Sequence, residues 1–440
     1  MVVELDKQVM QAVEALDYRV TVGDVAAKAG LNVEIAQQGL LALASETQGH
    51  MQVSDSGEIA YEFSRNFRGV LRNKYWQLRL QAILSKVWNV LFYIIRISFG
   101  IILMVLVAAV FLAIFALTIA AQSQGGGDNR DNRGGGGFYI SPFNFFYLFN
   151  FNYGRGGRRN PNRSVGRSSR SAAGRSGEGG DRLNFLEAIF SFLFGDGDPN
   201  ADLEERRWRT IGNIIRNDGG AIIAEQVVPY LDDLGSGWDK EFEDYMLPVL
   251  TRFNGQPEVS PAGEMVYYFP ELQVSAVERG RQSVGAYLKE TKRKFTQASS
   301  DQVLISIGLG ALLIIGSLVL RTRLPVAIAL GFGGLAQLLF WLALGYGIAF
   351  LAVPLGRYYW VQWRNRKIER RNAERAERAE AVNRLGASLK EKLAFARQFA
   401  SQKILRADEA VYSTESGLLE QEVDRADQLE AEFRRRLNET

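Results

Sequence analysis

Three long runs of uncharged, mostly apolar residues limit what this 440-residue chain can fold into. The runs cover residues 97–121, 303–320 and 326–353. A helix of about 17–25 apolar residues is long enough to span a hydrocarbon core of about 30 Å. We therefore predict an integral membrane protein, with membrane segment 1 at 97–121 and a transmembrane hairpin at 303–353 that turns near 321–325.

Basic residues beside these runs predict the topology. Lysines and arginines flank both ends of the hairpin, so the positive-inside rule places residues 122–302 and the carboxyl terminus in the cytoplasm or the plastid stroma. Residues 65–96, predicted as a basic amphipathic juxtamembrane helix, place the amino-terminal region on the same side. A single crossing by residues 97–121 conflicts with this arrangement, whereas a re-entrant hairpin over 87–121 satisfies it. We favour the arrangement with both soluble parts inside.

An internal repeat is the most specific signal in the chain. Residues 49–63 and 255–269 match at a constant offset of 206, and seven of the fifteen positions are identical. In the first copy, turn residues around Gly57 lie between two apolar stretches and predict a β-hairpin.

Helical patterns precede both copies of the repeat. Three predicted helices precede the first copy. The first covers 6–16, the second starts at the capping-box-like pair Thr21 and Asp24, and the third covers 33–47. The second copy follows predicted helices at 206–217, 221–231 and 241–254. Three helices and a hairpin are typical of a winged helix. The predicted fold class is thus a mainly α membrane protein with two small α+β winged-helix-like modules, at residues 1–64 and 201–272.

The charges of the modules favour protein docking over nucleic-acid binding. Residues 1–64 have a net charge of −7 and residues 202–272 a net charge of −8. No basic residue lies between Leu31 and Met51, where a DNA-reading helix carries arginine or lysine. The predicted partner-binding residues are the polar side chains of the third helix in each module: Glu34, Gln37, Gln38, Glu241 and Asp244.

Residues 122–182 form a predicted flexible linker, rich in glycine and arginine. Its aromatic stretch, 138–153, suits the membrane interface. Seven arginines follow and are predicted to bind anionic lipid headgroups, with RNA binding and a merely solvated linker as alternatives. They are Arg155, Arg158, Arg159, Arg163, Arg167, Arg170 and Arg175. Residues 183–200 are predicted to lie on the membrane surface as an amphipathic segment.

The remaining segments are predicted as helices. Residues 273–302 are expected to form a second juxtamembrane helix, and residues 354–440 a charged helical tail. Within the tail, helical patterns cover 358–412 and 418–437, with opposite charges three or four residues apart. A helical hairpin or short coiled coil is expected, which either self-associates into a homo-oligomer or holds a partner; a solvated helix is the alternative.

The composition excludes much chemistry. The chain has no cysteine, and its one histidine, His50, lies at the start of the first hairpin, where a hydrogen-bonded or solvent-facing histidine without a catalytic role is expected. Thiol nucleophiles, zinc fingers and clusters held by the chain's own thiolates are excluded. No catalytic, cofactor-binding or metal-binding residue is predicted. The leading hypothesis is a non-enzymatic membrane adaptor or assembly factor. The alternatives are a membrane-tethered nucleic-acid binder and a small channel or lipid-handling protein.

One segment carries a family resemblance. Pro248-Val-Leu-Thr-Arg-Phe-Asn-Gly-Gln-Pro-Glu-Val259, with Tyr268-Phe-Pro270, resembles a cyanobacterial and plastid membrane family. The plant members of this family sit in the chloroplast envelope and are labelled iron–sulfur cluster biosynthesis family protein. The resemblance implies residence in a cyanobacterial inner or thylakoid membrane, or in the plastid envelope. Because the chain lacks cysteine, any iron–sulfur role is expected to be indirect.

Overall fold

The computed structural model describes residues 2–74, 76–124, 184–234, 243–384, 386–407, 410–415 and 434. These residues are mainly helical, with three small sheets. They form two compact units. Unit 1 comprises Met1–Ser85, Asp198–Arg293 and Arg364–Thr440; unit 2 comprises Lys86–Gly197 and Lys294–Trp363.

The elements are numbered along the chain. The α-helices are α1 (Val2–Ala15), α2 (Val22–Ala29), α3 (Val33–Thr47), α4 (Phe67–Lys74), α5 (Trp76–Gln124), α6 (Phe185–Phe194), α7 (Leu203–Asn217), α8 (Leu247–Phe253), α9 (Pro270–Gln273), α10 (Ser300–Ala329), α11 (Gly333–Arg384) and α12 (Gly386–Ala396). The strands are β1 (Arg19–Thr21), β2 (His50–Ser54), β3 (Ile59–Glu62), β4 (Ala221–Ile222), β5 (Gln256–Val259), β6 (Met265–Tyr268), β7 (Val274–Ser275), β8 (Lys403–Ile404) and β9 (Ala410–Ser413). Short 3-10 helices cover Ala224–Gln226, Val228–Tyr230 and Asp244–Met246.

The two copies of the sequence repeat have matching sheets in unit 1. Each contains an antiparallel hairpin, β2–β3 or β5–β6, and a short strand that pairs with its second strand, β1 or β4. Val20 pairs with Tyr61 in the first copy, and Ile222 pairs with Tyr267 in the second. Both tyrosines are buried in one hydrophobic core that includes residues of both copies.

The identical glycines of the repeat have physical reasons. Gly57 and Gly263 sit in the hairpin turns with φ of +84° and +85°, which glycine adopts without the strain of a Cβ. Gly49 and Gly255 lie against aromatic rings. A Cβ there would approach the ring of Phe63 to 2.8 Å in the first copy, and the equivalent ring to 2.4 Å in the second.

The second copy departs from its predicted helices. Residues 221–231 form β4 and two 3-10 helices rather than one helix. Gly219 and Gly220 follow α7 with φ of +71° and +76°, and the carbonyl of Gly220 accepts a hydrogen bond from the Phe269 amide. This hydrogen bond and the pairing of β4 with β6 place residues 220–222 in the sheet. In the described part of the helix predicted at 241–254, Asp244–Met246 is a 3-10 helix and α8 begins only at Leu247.

The helix predicted at 273–302 is wrong. After α9, residues 274–293 run as an extended segment that we call the strap, and the next helix begins at Ser300. The strap forms bonds with other segments of unit 1 in place of helical bonds. Its Leu288 amide donates to the carbonyl of Pro229, and its Glu290 amide donates to the side chain of Asn372.

The prediction of a continuous helix over 358–412 is also wrong beyond Ala396. There the chain forms β8, which pairs in parallel with β7 of the strap, and β9, which pairs antiparallel with β2. Arg19 holds this arrangement, because its guanidinium donates to the carbonyl oxygens of Ala276 and Leu405. Of the helix predicted at 418–437, all but residue 434 lies outside the described residues, so the coiled coil stays a prediction.

Buried ion pairs fix helices α11 and α12 within unit 1. Arg375, on α11, is 1% exposed and pairs with Asp232 at 2.5 Å and with Glu290 of the strap at 3.0 Å. Lys392, on α12, pairs with Glu225 and Glu243 at 2.9 and 2.6 Å. Because an unpaired charge in such a position costs several kcal/mol, these contacts favour one position for each helix.

Unit 2 contains long apolar helices. By length and composition, three helices among the described residues could cross a membrane: α5 over Lys86–Gln122, α10 and α11. Helix α5 is continuous, so the re-entrant hairpin predicted over 87–121 is wrong. Helix α10 continues through Pro325 to Ala329, and Gly331, with φ of +82°, follows it. The turn is therefore later than the predicted 321–325.

Glycines let α10 and α11 pack closely. A Cβ on Gly310 would lie 2.8 Å from the ring of Phe350, and one on Gly347 would lie 2.8 Å from Ile314. These contacts show that the two helices are antiparallel. Such close approach stabilises apolar helices by van der Waals contact rather than by loss of water.

Within the segment predicted to lie on the membrane surface, 183–200, helix α6 packs against α5. Helix α6 buries Ile189 and Phe192 in a cluster with Leu103 of α5. Just after α6, Asp196 lies 3.6 Å from Arg96, the one charge within the apolar part of α5. This partner makes an arginine at that position less costly, because it offsets the charge.

The tail strand β9 pairs with one copy of the repeat, and sequence explains the choice. The Met51 amide of β2 donates to the Thr414 hydroxyl at 2.8 Å. The equivalent position in β5 is Pro257, which has no N–H. Pro257 still pairs with Tyr267 in β6, so the hairpin tolerates proline there.

We expect Met51→Pro to release β9 while leaving the β2–β3 hairpin intact. Hydrogen–deuterium exchange of the full chain in detergent should accelerate at least tenfold over residues 410–414. Met51→Ala, which keeps the N–H, is the matched control and should show much slower exchange there. Equal exchange in the two variants would show that this hydrogen bond does not hold the strand.

Tail attachment should also depend on acid. Burial alone would raise the pKa of Glu58, but the Lys403 ammonium and the hydroxyls of Ser56 and Ser54 lower it to about 2. Because the folded-state pKa lies below the ordinary value of 4.5, the stabilisation is complete above about pH 4.5 and is lost as the pH falls towards 2.

Pepsin cleavage within 403–415 tests this dependence. At pH 4.5, Glu58→Gln should be cleaved faster than the unmodified protein, because the glutamine cannot form the ion pair. At pH 2 the two rates should converge. A ratio of rates that stays constant with pH would contradict the assignment.

Candidate functional site

The carboxylate of Asp24 lies at the point where three parts of unit 1 meet. Asp24 is fully buried near the start of α2. It accepts the Thr21 amide at 3.0 Å, and its own amide donates to the Thr21 hydroxyl at 3.1 Å, which confirms the predicted capping box. From the strap, the Ser275 hydroxyl and the Ala276 amide each donate to the carboxylate at 2.9 Å.

Two arginines surround the same carboxylate. Arg216 of α7 lies 2.6 Å from it, and Arg279 of the strap lies 3.9 Å away. Burial alone would raise the pKa of Asp24, but Arg216, the Ala276 and Thr21 amides and Arg279 lower it below the ordinary 3.8. The group is therefore held as a carboxylate, and its stabilising contribution is present near neutral pH and lost only in acid.

A cavity of about 550 Å³ opens beside Asp24. It lies between the end of α1, α2, α7, the strap and Gln402, so both copies of the repeat contribute to its wall. Four of its lining residues are cationic and three are acidic. The cations are Lys28, Arg216, Arg279 and Arg281, and the acids are Asp17, Asp24 and Glu278. The cavity suits a polar, charged ligand by its size and lining.

The predicted partner-binding residues of the first copy share an exposed face of α3. The side chains of Glu34, Gln37 and Gln38 point to solvent and make no hydrogen bond with another described residue. Leu41, on the same face, is 44% exposed. This face therefore combines polar side chains with an accessible apolar group.

The corresponding part of the second copy meets α3 at its amino-terminal end. The Asn32 side chain donates to the carbonyl of Thr251 at 3.1 Å, and Arg252 donates to the carbonyl of Gly30. Asp244 is exposed at the other end of this segment, and nearby Leu247 is 66% exposed. We call the exposed residues of α3 and 244–251 the α3–α8 face.

Several predicted residues lie outside the described residues: Glu241, Arg155, Arg158, Arg159, Arg163, Arg167, Arg170 and Arg175. His50 is half-buried in β2, opposite Glu62. Among the described residues, no group of three or more histidines or carboxylates is placed to hold a metal ion. The cavity was not predicted from the sequence. Its one local signal is the pair of arginines two positions apart, Arg279 and Arg281.

Comparison with known proteins identifies a plant relative. The chain is 35% identical over 438 residues to "Uncharacterized protein At5g03900, chloroplastic" of Arabidopsis thaliana, covering 95% of this chain and 80% of the plant protein. The chain belongs to the family of this chloroplastic protein. No family model matches the chain, and no solved structure matches it.

Family membership and the three apolar helices are compatible with a plastid membrane protein. The plant relative's description gives its compartment without an activity. The iron–sulfur label implied by the sequence resemblance, the direction of each crossing and the residence of this chain in a particular membrane therefore stay predictions.

We expect Asp24→Asn to destabilise unit 1 by about 3–5 kcal/mol, because it leaves the partly buried Arg216 and Arg279 without their buried counter-charge. The full chain in detergent, followed by limited proteolysis during heating, should lose unit 1 at a lower temperature. Glu34→Gln removes one carboxylate from an exposed site and is the matched control. Equal proteolysis profiles for the two variants would show that Asp24 is not central to stability.

Proposed function

We propose that this protein is a non-enzymatic membrane adaptor. Residues 1–64 and 201–272 act as winged-helix-like modules that dock a partner protein, and the apolar helices of unit 2 anchor them in the membrane. The observation that carries the proposal is the α3–α8 face, where Glu34, Gln37 and Gln38 are exposed beside Leu41.

The charge of the modules indicates the kind of partner. With a net charge of −7 in residues 1–64 and −8 in residues 202–272, the modules attract a basic protein surface and repel a polyanion. The exposed Leu41 and Leu247 add apolar area, which supplies affinity that charge alone does not. We therefore expect a partner with a basic rim around an apolar contact.

The proposal extends to the membrane and to assembly. Contact with lipids is supported by the apolar residues that α10 and α11 expose, such as Leu304 at 71% and Leu335 at 68%. In this proposal the chain also self-associates, and the linker arginines bind anionic lipid headgroups. The modules are acidic, whereas a DNA-recognition helix normally carries basic residues, so partner docking is favoured over nucleic-acid binding.

Charge reversal on α3 tests the docking proposal. The full chain is purified from native membranes in mild detergent, and co-purifying proteins are quantified by mass spectrometry. Glu34→Lys should reduce capture of a stoichiometric basic partner at least tenfold, because opposing like charges cost well over the 1.4 kcal/mol that tenfold represents.

Asp55→Lys is the matched control. Asp55 is exposed in the hairpin turn of the same module, and its substitution changes the charge by the same amount. It should leave capture unchanged. Equal capture by both variants would contradict docking through α3, and salt-sensitive RNA capture lost on deletion of residues 155–175 would favour the nucleic-acid alternative.

A further inference from the structure

We infer that the cavity beside Asp24 binds a small, soluble molecule that carries a phosphate group. This site is separate from the α3–α8 face, and the inference does not depend on the docking proposal. It rests on the position of four cationic side chains, on their unused hydrogen-bond donors and on the bonds that hold the cavity wall in place.

The cations reach the cavity from three different elements. Lys28 comes from α2, Arg216 from α7, and Arg279 and Arg281 from the strap. These elements are far apart in sequence, so the cluster is a product of the fold rather than of a local basic run. Guanidinium groups bind phosphate oxygens in pairs, and an ammonium adds a compact positive charge.

Most of these cations have donors to spare. Arg216 has one ion-pair partner in the described part of the chain, Asp24, although a guanidinium carries five N–H donors. Lys28 and Arg281 are exposed and form no ion pair with any residue that the structure describes. The amide side chains of Asn213 and Gln402 also line the cavity and can donate to a ligand.

The acidic residues of the cavity offset only part of this charge, because four cations line it with three acids. The Asp24 carboxylate is already occupied by two amides, one hydroxyl and Arg216. Asp17 and Glu278 are exposed, as are Lys28 and Arg281, so solvent and salt screen these four charges alike. Burial lowers the pKa of Arg279, and Arg216 also lowers it, whereas Asp24 and Asp17 raise it.

The wall that carries two of the arginines is held firmly. The Asn217 side chain donates to the carbonyl of Gln282 at 2.8 Å and accepts its amide at 2.9 Å. Arg279 donates to the carbonyl of Leu16. The strap is thus fixed on both sides of the cavity before a ligand arrives, which reduces the entropy lost on binding.

The lining favours a soluble ligand over a lipid. A volume of about 550 Å³ lies within the usual range of small-molecule sites. Its wall is mainly charged and amide groups, and the apolar contributors are Ala15, Leu16, Ala27 and Val277. These four offer little surface on which an acyl chain could pack.

Calorimetric titration of the full chain in an uncharged detergent tests the site. The probe is glycerol 3-phosphate, and glycerol is the uncharged control. We expect glycerol 3-phosphate to bind with a Kd below about 1 mM and glycerol to give no heat. Lys28→Gln and Arg281→Gln should each raise the Kd at least tenfold.

Lys7→Gln is the matched variant, since Lys7 is an exposed cation of unit 1 that does not line the cavity. Its Kd should equal that of the unmodified protein. The proposal is overturned by an absence of binding up to 10 times the expected Kd, or by equal Kd values in all variants. Binding of phosphatidylglycerol in bicelles without binding of glycerol 3-phosphate would also overturn it, because the ligand would then be a lipid.

Discussion

Unit 1 depends on one buried carboxylate. Asp24 starts α2 through its bonds with Thr21, and the same two oxygens receive donors from the strap and from Arg216. Moving a carboxylate out of water costs several kcal/mol, which is recovered only when all of its partners are in place. The first copy of the repeat, the second copy and the strap are therefore stabilised together.

The carboxyl-terminal part of the chain extends this interdependence. Charged side chains on α11 alternate in sign, as on a solvated helix, yet Arg371 and Arg375 pair with Glu290 of the strap. Tail strands β8 and β9 then add to β7 and β2. The sequence suggests a separate helical tail, but the described part of this tail beyond Ala396 adds strands to the sheets of unit 1.

The repeat, the first hairpin and the apolar helices were predictable, because each leaves a local signature. Gly57 and Gly263 mark turns, and an uncharged run marks α10. The strap and β9 were not predictable, because their bonds come from distant segments while the local composition favours helix. Of the site, the spacing of Thr21 and Asp24 revealed the helix cap. The burial of Asp24 against Arg216 depends on how the two copies of the repeat pack, and no local sequence pattern predicts that packing.

The order of synthesis adds a consequence to the pairing of β9 with β2. Met51 and Thr414 bond across 363 residues, so the ribosome makes every apolar helix before it makes the partner of β2. During that interval the nascent first module presents an open strand edge, which is a template for wrong pairing between chains. A chain released before residue 410 keeps that edge permanently. The sheet of the first copy is thereby completed only after translation has passed residue 413.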